Sequence, residues 1–285
     1  MKILITGSGG QLGQQWIDFC KEESIHFKSY RSTELDITDP KKVLREIQSY
    51  NPDIIINCAA YTKVDNAEEE KKNAQSVNAT AVHDLALLCK KLDIKLVHFS
   101  TDYVFAGEEE DRSKLPDGYP EVHTRNPINE YGYSKYLGEK AIEESGCEYL
   151  LIRVSWLCGK HGQNFVKTML RLGKEKENLS IVNDQFGSPT FTDQVVELTH
   201  ILIQNKETGA FHISSEGLIS WYDFAKEIFN QSGIRIDVKP VTSDEYPTKA
   251  KRPSFSKLST QKISNIDGVN IIHWKEGLQK MLNQL

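Results

Sequence analysis

Met1-Lys2-Ile3-Leu4-Ile5-Thr6-Gly7-Ser8-Gly9-Gly10-Gln11-Leu12-Gly13 opens the chain, and its reading decides the fold. Ile3 to Thr6 predict a buried strand, and the glycines after it predict a tight turn into a helix from about Gln11 to Glu23. In such a unit Gly7 permits the turn, Gly10 lets backbone N–H groups approach a pyrophosphate, and Gly13 allows the helix to pack closely on the strand. The first turn of the helix then presents its positive end to anionic phosphates. The apolar part of this opening is too short for a signal peptide, and no run elsewhere approaches the ~18–20 apolar residues of a membrane span.

Outward from that unit, short aliphatic runs alternate with helical patterns. Strands are predicted at Ile3–Thr6, His26–Tyr30, Ile54–Cys58, Leu96–Ser100 and Tyr149–Val154. Helices are predicted at Gln11–Glu23, Pro40–Tyr50, Asn73–Leu92 and Glu130–Ser145. Near-continuous apolar strands between amphipathic helices imply parallel pairing with both sheet faces covered, the doubly wound α/β (Rossmann) arrangement, whose ligand crevice lies beyond the carboxyl ends of the strands. Residues 1–150 are therefore read as the dinucleotide-binding domain, with later segments returning to it. Residues 151–285 are read as mainly a smaller α/β substrate lobe, with helices at Asn164–Lys176, Asp193–Gln204 and Ser220–Ser232. Its strands are expected at Leu179–Asn183, Ala210–Ile213 and Ile236–Pro240.

The chain has 285 residues, with 35 Lys+Arg against 40 Asp+Glu, a net charge of −5 that excludes the overall basic surface nucleic-acid binding usually needs. Cys20, Cys58, Cys89, Cys147 and Cys158 show neither disulfide nor zinc spacing, and they read as free thiols in a reducing, cytoplasmic setting. The charged runs Glu68–Lys72 and Glu108–Arg112 read as solvated surface.

Three features carry chemistry. The second predicted strand ends Tyr30-Arg31-Ser32, where such folds meet the adenosine ribose. Arg31 suits a 2′-phosphate and no acid appears before Glu34, which favours NADPH and leaves NADH possible; a merely exposed turn arginine is the plainer alternative. Tyr131 and Lys135 form a Y-x-x-x-K pair on one helix face, where an ammonium and a cationic nicotinamide would favour phenolate and ease proton exchange. Thr101 ends a strand about 30 residues upstream, beside the same crevice, with a hydroxyl able to bond a substrate oxygen.

The G-x-x-G-x-x-G spacing of Gly7, Gly10 and Gly13 resembles the extended short-chain dehydrogenase/reductases. Within them the chain resembles the dTDP-4-dehydrorhamnose reductases. The resemblance is carried by Gly7–Gly13, Leu35-Asp36-Ile37, Asn57-Cys58-Ala59-Ala60-Tyr61-Thr62-Lys63-Val64-Asp65 and Ser100–Phe105, and further by Arg153-Val154-Ser155-Trp156, Asn183–Thr190 and Arg252-Pro253. It implies NADPH-dependent reduction of the C4 ketone of dTDP-4-dehydro-β-L-rhamnose, a step feeding cell-surface polysaccharide. Tyr131 would be the proton donor, Lys135 would assist it and hold the nicotinamide ribose, and Thr101, with Ser100, would orient the oxygen.

The cofactor would lie on Gly7, Gly10, Gln11, Leu12, Gly13, Arg31, Asp36, Ile37, Ala59, Ala60, Tyr61, Thr62 and Phe99 as well as Tyr131 and Lys135. Asp36 would accept from the adenine amine. Thr62, Val64, Thr101, Asp102 and Trp156 would meet the sugar, and Asn164 and Arg252 the nucleotide diphosphate. For Trp156 a core position and for Arg252 a structural ion pair remain open readings.

Two departures from relatives matter. Related 4,6-dehydratases carry an Asp-Glu pair after the threonine; Asp102 is followed here by Tyr103, which argues against dehydration. Some members of the branch use Mg²⁺ at interface glutamates just after the glycine motif. Gln14-Gln15-Trp16 offers no carboxylate there, so a homodimer, if formed, is not expected to be carboxylate–metal bridged, no metal ligand is predicted, and Mg²⁺ dependence stays open. The alternatives are another nucleotide-sugar reductase or epimerase, or a non-catalytic subunit such as the regulatory β-subunit of methionine adenosyltransferase. The partner expected is a small-molecule nucleotide sugar, with neither nucleic acid nor membrane.

Overall fold

The structure, a computed structural model, describes residues 1–285. Six parallel strands form the central sheet: β1 (Lys2–Thr6), β2 (His26–Tyr30), β3 (Ile54–Asn57), β4 (Lys95–Thr101), β5 (Tyr149–Val154) and β6 (Gly209–His212). Their spatial order is β6-β5-β4-β3-β1-β2. The chain leaves β1 to one side for β2 and to the other for β3, so the order reverses there and a crevice opens at the carboxyl ends.

The two-residue period of the strands sorts their side chains. Ile3, Ile5, Ile54, Ile56 and Val97 face α1 (Gln11–Glu22) and α6 (Thr192–Gln204), where Leu12, Trp16, Val195 and Leu202 meet them. Leu4, Ile55, Leu96 and Leu151 face α2 (Pro40–Tyr50), α3 (Ala81–Leu92) and α4 (Glu130–Ser145) through Ile47, Val82, Leu85 and Ile142. Each such side chain contributes about 1.5–3 kcal/mol on burial. Pro40 at the first position of α2 and the Asp39 carboxylate accepting from Lys42 N–H fix where that helix begins.

The second lobe is built on α5 (Phe165–Glu175), α7 (Trp221–Gln231) and α8 (Trp274–Leu282). These pack Val166, Met169, Phe224, Ile228, Trp274 and Leu278 into their own core. Its two-stranded sheet pairs Asn178–Val182 in parallel with Asp237–Val241. From the later part of the chain, α6 packs on α1, and β6 pairs with β5 at the edge of the main sheet.

Two expectations needed correction. The helix expected over 73–92 is interrupted by a π-helical turn, Ser76–Thr80, between Lys71–Gln75 and α3. The run Glu68–Lys72 is not simply solvated: the Glu68 carboxylate accepts from Glu130 N–H at 2.9 Å, and Lys71 pairs with Glu130 at 2.8 Å, so the run braces the start of α4.

Candidate active site

Gly7 has φ +67°, and a Cβ there would stand 2.4 Å from Ala59 N; a Cβ on Gly13 would stand 2.5 Å from Gly7 O. The close approach of β1, β3 and α1 therefore excludes any side chain at those two positions. Gly10 differs, since its Cβ would meet nothing nearer than Gly7 O at 3.5 Å. The protein itself leaves room at Gly10, so the need for glycine there lies on the ligand side.

Gly7 and Gly10 border a cavity of about 1000 Å³ along the carboxyl ends of β1, β3 and β4. Of the candidate residues, all but Gly13, Asn164 and Arg252 line it: Gly7, Gly10, Gln11, Leu12, Arg31, Asp36, Ile37, Ala59, Ala60, Tyr61, Thr62, Val64, Phe99, Thr101, Asp102, Tyr131, Lys135 and Trp156. Gly13 lies beneath, as a packing glycine.

At one end, Arg31 borders both this cavity and a smaller polar one of about 520 Å³ that continues past Ser8, Gln14 and Glu34. Glu34 is occupied in accepting from Arg31 N–H at 2.7 Å. Asp36 presents its carboxylate beside the cavity while one oxygen accepts from Thr38 N–H and Oγ1. A glycine loop, a free guanidinium and a carboxylate in this order fit a dinucleotide with a 2′-phosphate.

In the middle, α4 brings in the tyrosine and the lysine. Asn129 caps it, accepting from Gly132 N–H at 2.8 Å and donating to Lys251 O at 2.9 Å. A Cβ on Gly132 would strike Tyr103 O at 2.2 Å, so α4 lies directly against the turn Asp102–Val104 that follows β4. Tyr131 and Lys135, one turn apart, thus share the cavity wall with Thr101.

Burial, then the Asp102 charge, pushes the Tyr131 phenol up, with Thr101 acting against them. Burial also pushes Lys135 down to about 8, against Glu139 and Cys58. The expected easing of the phenol by the ammonium is therefore not what these surroundings impose. Lys135 Nζ instead bonds Phe99 O at 2.6 Å and His98 Nε2 at 3.1 Å. Thr101 Oγ1 donates to Asp102 at 2.9 Å, and burial lifts Asp102 to about 6.

At the other end, Trp156 has φ +45°, a left-handed conformation costly for an aromatic residue, and stacks on Trp221 with ring centroids 3.5 Å apart. Gly187 makes this possible, since a Cβ there would stand 2.7 Å from the indole. Arg252 is held in an ion pair with Asp65 at 2.6 Å and lies by Tyr103, which favours the structural reading. Asn164 caps α5, accepting from Lys167 N–H and donating to Gly159 O.

The structure adds residues the sequence reading missed. Asn78, in the π turn, accepts from Tyr61 N–H at 2.8 Å and donates to Tyr61 O and Ser134 Oγ, pinning the 59–62 loop to α4. Asn57 and His98 stand directly behind Lys135. The available signal was a polar residue in each neighbouring apolar strand: Thr6 and Asn57 at strand ends and His98 in mid-strand.

The family model described as the RmlD substrate binding domain matches residues 1–285. The chain belongs to this family. Similar family members include the spore coat polysaccharide biosynthesis protein SpsK of Bacillus subtilis, 37% identical over 99% of this chain and 97% of the relative. The dTDP-4-dehydrorhamnose reductase of Escherichia coli K12 is 36% identical over 100% of this chain and 98% of that one. The crystal structure of dTDP-4-dehydrorhamnose reductase from Bacillus anthracis in complex with NADP superposes with a TM-score of 0.95 at 40% identity, covering 100% and 99% of the two chains. The RmlD-type chain also shares its fold, at 17% identity and a TM-score of 0.81, with a Thermus thermophilus UDP-glucose 4-epimerase.

Proposed function

We propose that the chain is an NADP-dependent oxidoreductase that reduces the C4 ketone of dTDP-4-dehydro-β-L-rhamnose to dTDP-β-L-rhamnose with NADPH, supplying dTDP-rhamnose for polysaccharide. One observation carries the reading: Thr101, Tyr131 and Lys135 line the same cavity as the Gly7–Leu12 turn and Arg31. NADPH supplies the hydride when bound. The phenol of Tyr131, kept protonated at neutral pH by burial and Asp102, gives its proton to the ketone oxygen as negative charge develops there. Thr101 turns its hydroxyl from Asp102 to that oxygen and orients it.

Lys135 and the 59–62 loop hold the nicotinamide end, Asp36 and Ile37 the adenine, and Arg31 the 2′-phosphate, so NADPH is preferred over NADH. Thr62, Val64, Asp102 and Trp156 form the sugar wall, where the indole face suits the apolar side of a 6-deoxy ring. Asn164, which caps α5, and Arg252, paired with Asp65, lie outside the cavity lining. Residues 1–150, with α6 and β6, bind the dinucleotide, and the remainder of 151–285 closes the sugar side.

The five free thiols suit a reducing cytoplasm. Gln15 is buried and accepts from Thr192 Oγ1, so any homodimer forms without a carboxylate–metal bridge at this point.

Incubation of the purified protein with NADPH and 4-keto nucleotide sugars, carrying dTDP or UDP, tests the assignment. One NADPH consumed per dTDP-sugar, with dTDP-β-L-rhamnose as product, is expected. Sugar conversion with no net loss of NADPH would make the chain an epimerase instead.

A further inference from the structure

A row of polar side chains runs along the floor of the cavity across β1, β3 and β4 to α4. Thr6 Oγ1 donates to Asn57 Oδ1 at 2.7 Å, Asn57 Nδ2 meets His98 Nδ1 at 3.0 Å, and His98 Nε2 meets Lys135 Nζ at 3.1 Å. None of the four is more than 2% exposed, so water cannot substitute for a missing partner and donors must match acceptors.

The matching has one solution. Ala59 N–H, which can only donate, points at Asn57 Oδ1 at 3.2 Å, and this fixes which way the amide faces. Asn57 Nδ2, also only a donor, then faces His98 Nδ1, which must accept through its lone pair. The imidazole proton therefore sits on Nε2, pointing at Lys135 Nζ. An ammonium has no lone pair to receive it, whereas an amine does, and an amine still keeps a hydrogen for Phe99 O at 2.6 Å.

We propose that His98, fixed by Asn57 with its proton on Nε2, is a positioning residue that favours the neutral amine of Lys135 in mildly alkaline solution, where the amine becomes an ammonium when the dinucleotide binds. This rests on the dinucleotide reading of the cavity. The proton is taken from solvent, and Lys135 turns its donors from His98 toward the ligand.

The surroundings agree. Burial drives His98 well below its usual value and Lys135 to about 8. Around Lys135, Cys58 at the end of β3 is a thiol kept neutral by burial. Glu139 on α4 is engaged by Arg125 and Arg153 at 2.9 and 2.8 Å. Asp102, after β4, faces Tyr131 and acts on that phenol. No carboxylate is in ion-pair contact with Lys135 to hold an ammonium in place.

Two measurements on the full chain test this. The ¹⁵N chemical shifts of the His98 imidazole, without NADPH, should show a protonated Nε2 and an unprotonated Nδ1. The opposite tautomer overturns the proposal whatever the cavity binds. Calorimetry of NADPH binding at pH 8, in buffers of different ionisation enthalpy, should show uptake of about half a proton per site, rising toward one at pH 9. In His98→Ala, which removes the Nε2–H donor and leaves room for water beside Lys135 Nζ, uptake at pH 8 should fall at least about twofold. NADPH binding without proton uptake in the wild type, or with unchanged uptake in His98→Ala, overturns the proposal. Absence of NADPH binding itself would refute the dinucleotide reading, an outcome distinct from either.

Discussion

Tyr131 holds its proton because burial and the neighbouring Asp102 both disfavour phenolate, which suits an acid in a reduction better than a base in an oxidation. Tyr131→Phe removes only the hydroxyl. Turnover should fall by about 10²-fold or more while the NADPH dissociation constant, measured by fluorescence titration, changes little. Wild-type-like turnover would exclude Tyr131 as the donor. At the other end of the cavity, the Arg31 guanidinium is the only cationic side chain that the β2 end offers to a 2′-phosphate, with Glu34 tied to the Arg31 backbone. Arg31→Ala should therefore weaken NADPH about tenfold or more relative to NADH, as expected for loss of a charge-assisted pair. Equal losses for the two cofactors would remove Arg31 from that role. That Tyr131, Lys135, Thr101 and Arg31 border one cavity was legible in the sequence, because each occupies a fixed place after a strand or along a helix. Asn57, His98 and Asn78 were not, because their roles depend on partners 17 to 56 residues away, brought close only by folding.

α4 is both the carrier of Tyr131 and Lys135 and one side of a buried charge network. Burial opposes the charge on Glu139, yet hydrogen bonds from Arg153 and Arg125 outweigh it and hold the carboxyl below its usual value. A depressed carboxyl contributes stability that is present above its ordinary pKa and lost as pH falls through the folded value, here from about pH 4 downward. Glu139→Gln leaves the buried Arg153 guanidinium without its counter-charge, while Arg125 keeps Glu143, and should cost about 3–5 kcal/mol in chemical denaturation at pH 7. The difference from wild type should shrink below pH 4; a constant difference at both pH values would show that the charge is not what stabilises α4. The limits of α4 were expected at Glu130 and Ser145 and those of α2 at Pro40 and Tyr50, and the structure fixes them with Asn129 before and Gly146 after α4 and with Asp39-Pro40 at the start of α2. The π turn at 76–80 was not, since nothing in Ser76-Val77-Asn78-Ala79-Thr80 breaks a helical pattern. Its extra residue is explained only by the tie between Asn78 and Tyr61.

Across the whole molecule, two cores meet at one cavity. The alternation of apolar strands and amphipathic helices made the main sheet legible, down to the bounds of β2 and β5. The second lobe was less so, because its strands at 157–158, 186–187, 190–191 and 219–220 are two residues long and carry no periodicity. The stack of Trp156 on Trp221 is where that lobe supports the cavity wall. Trp221 does not itself line the cavity, so Trp221→Ala should raise the KM for the nucleotide sugar about tenfold and leave NADPH affinity unchanged. A parallel loss of NADPH affinity in that variant would mean that the lobe supports both ligands. The central claim is that a hydride and a tyrosine proton meet a sugar ketone in this one crevice. Its most direct test is the fate of deuterium carried at C4 of NADPH, read by NMR of the sugar product. The account predicts deuterium at C4 of dTDP-β-L-rhamnose in the wild type and none transferred above background by Tyr131→Phe in the same time. Product formed with only solvent hydrogen at C4 would contradict it.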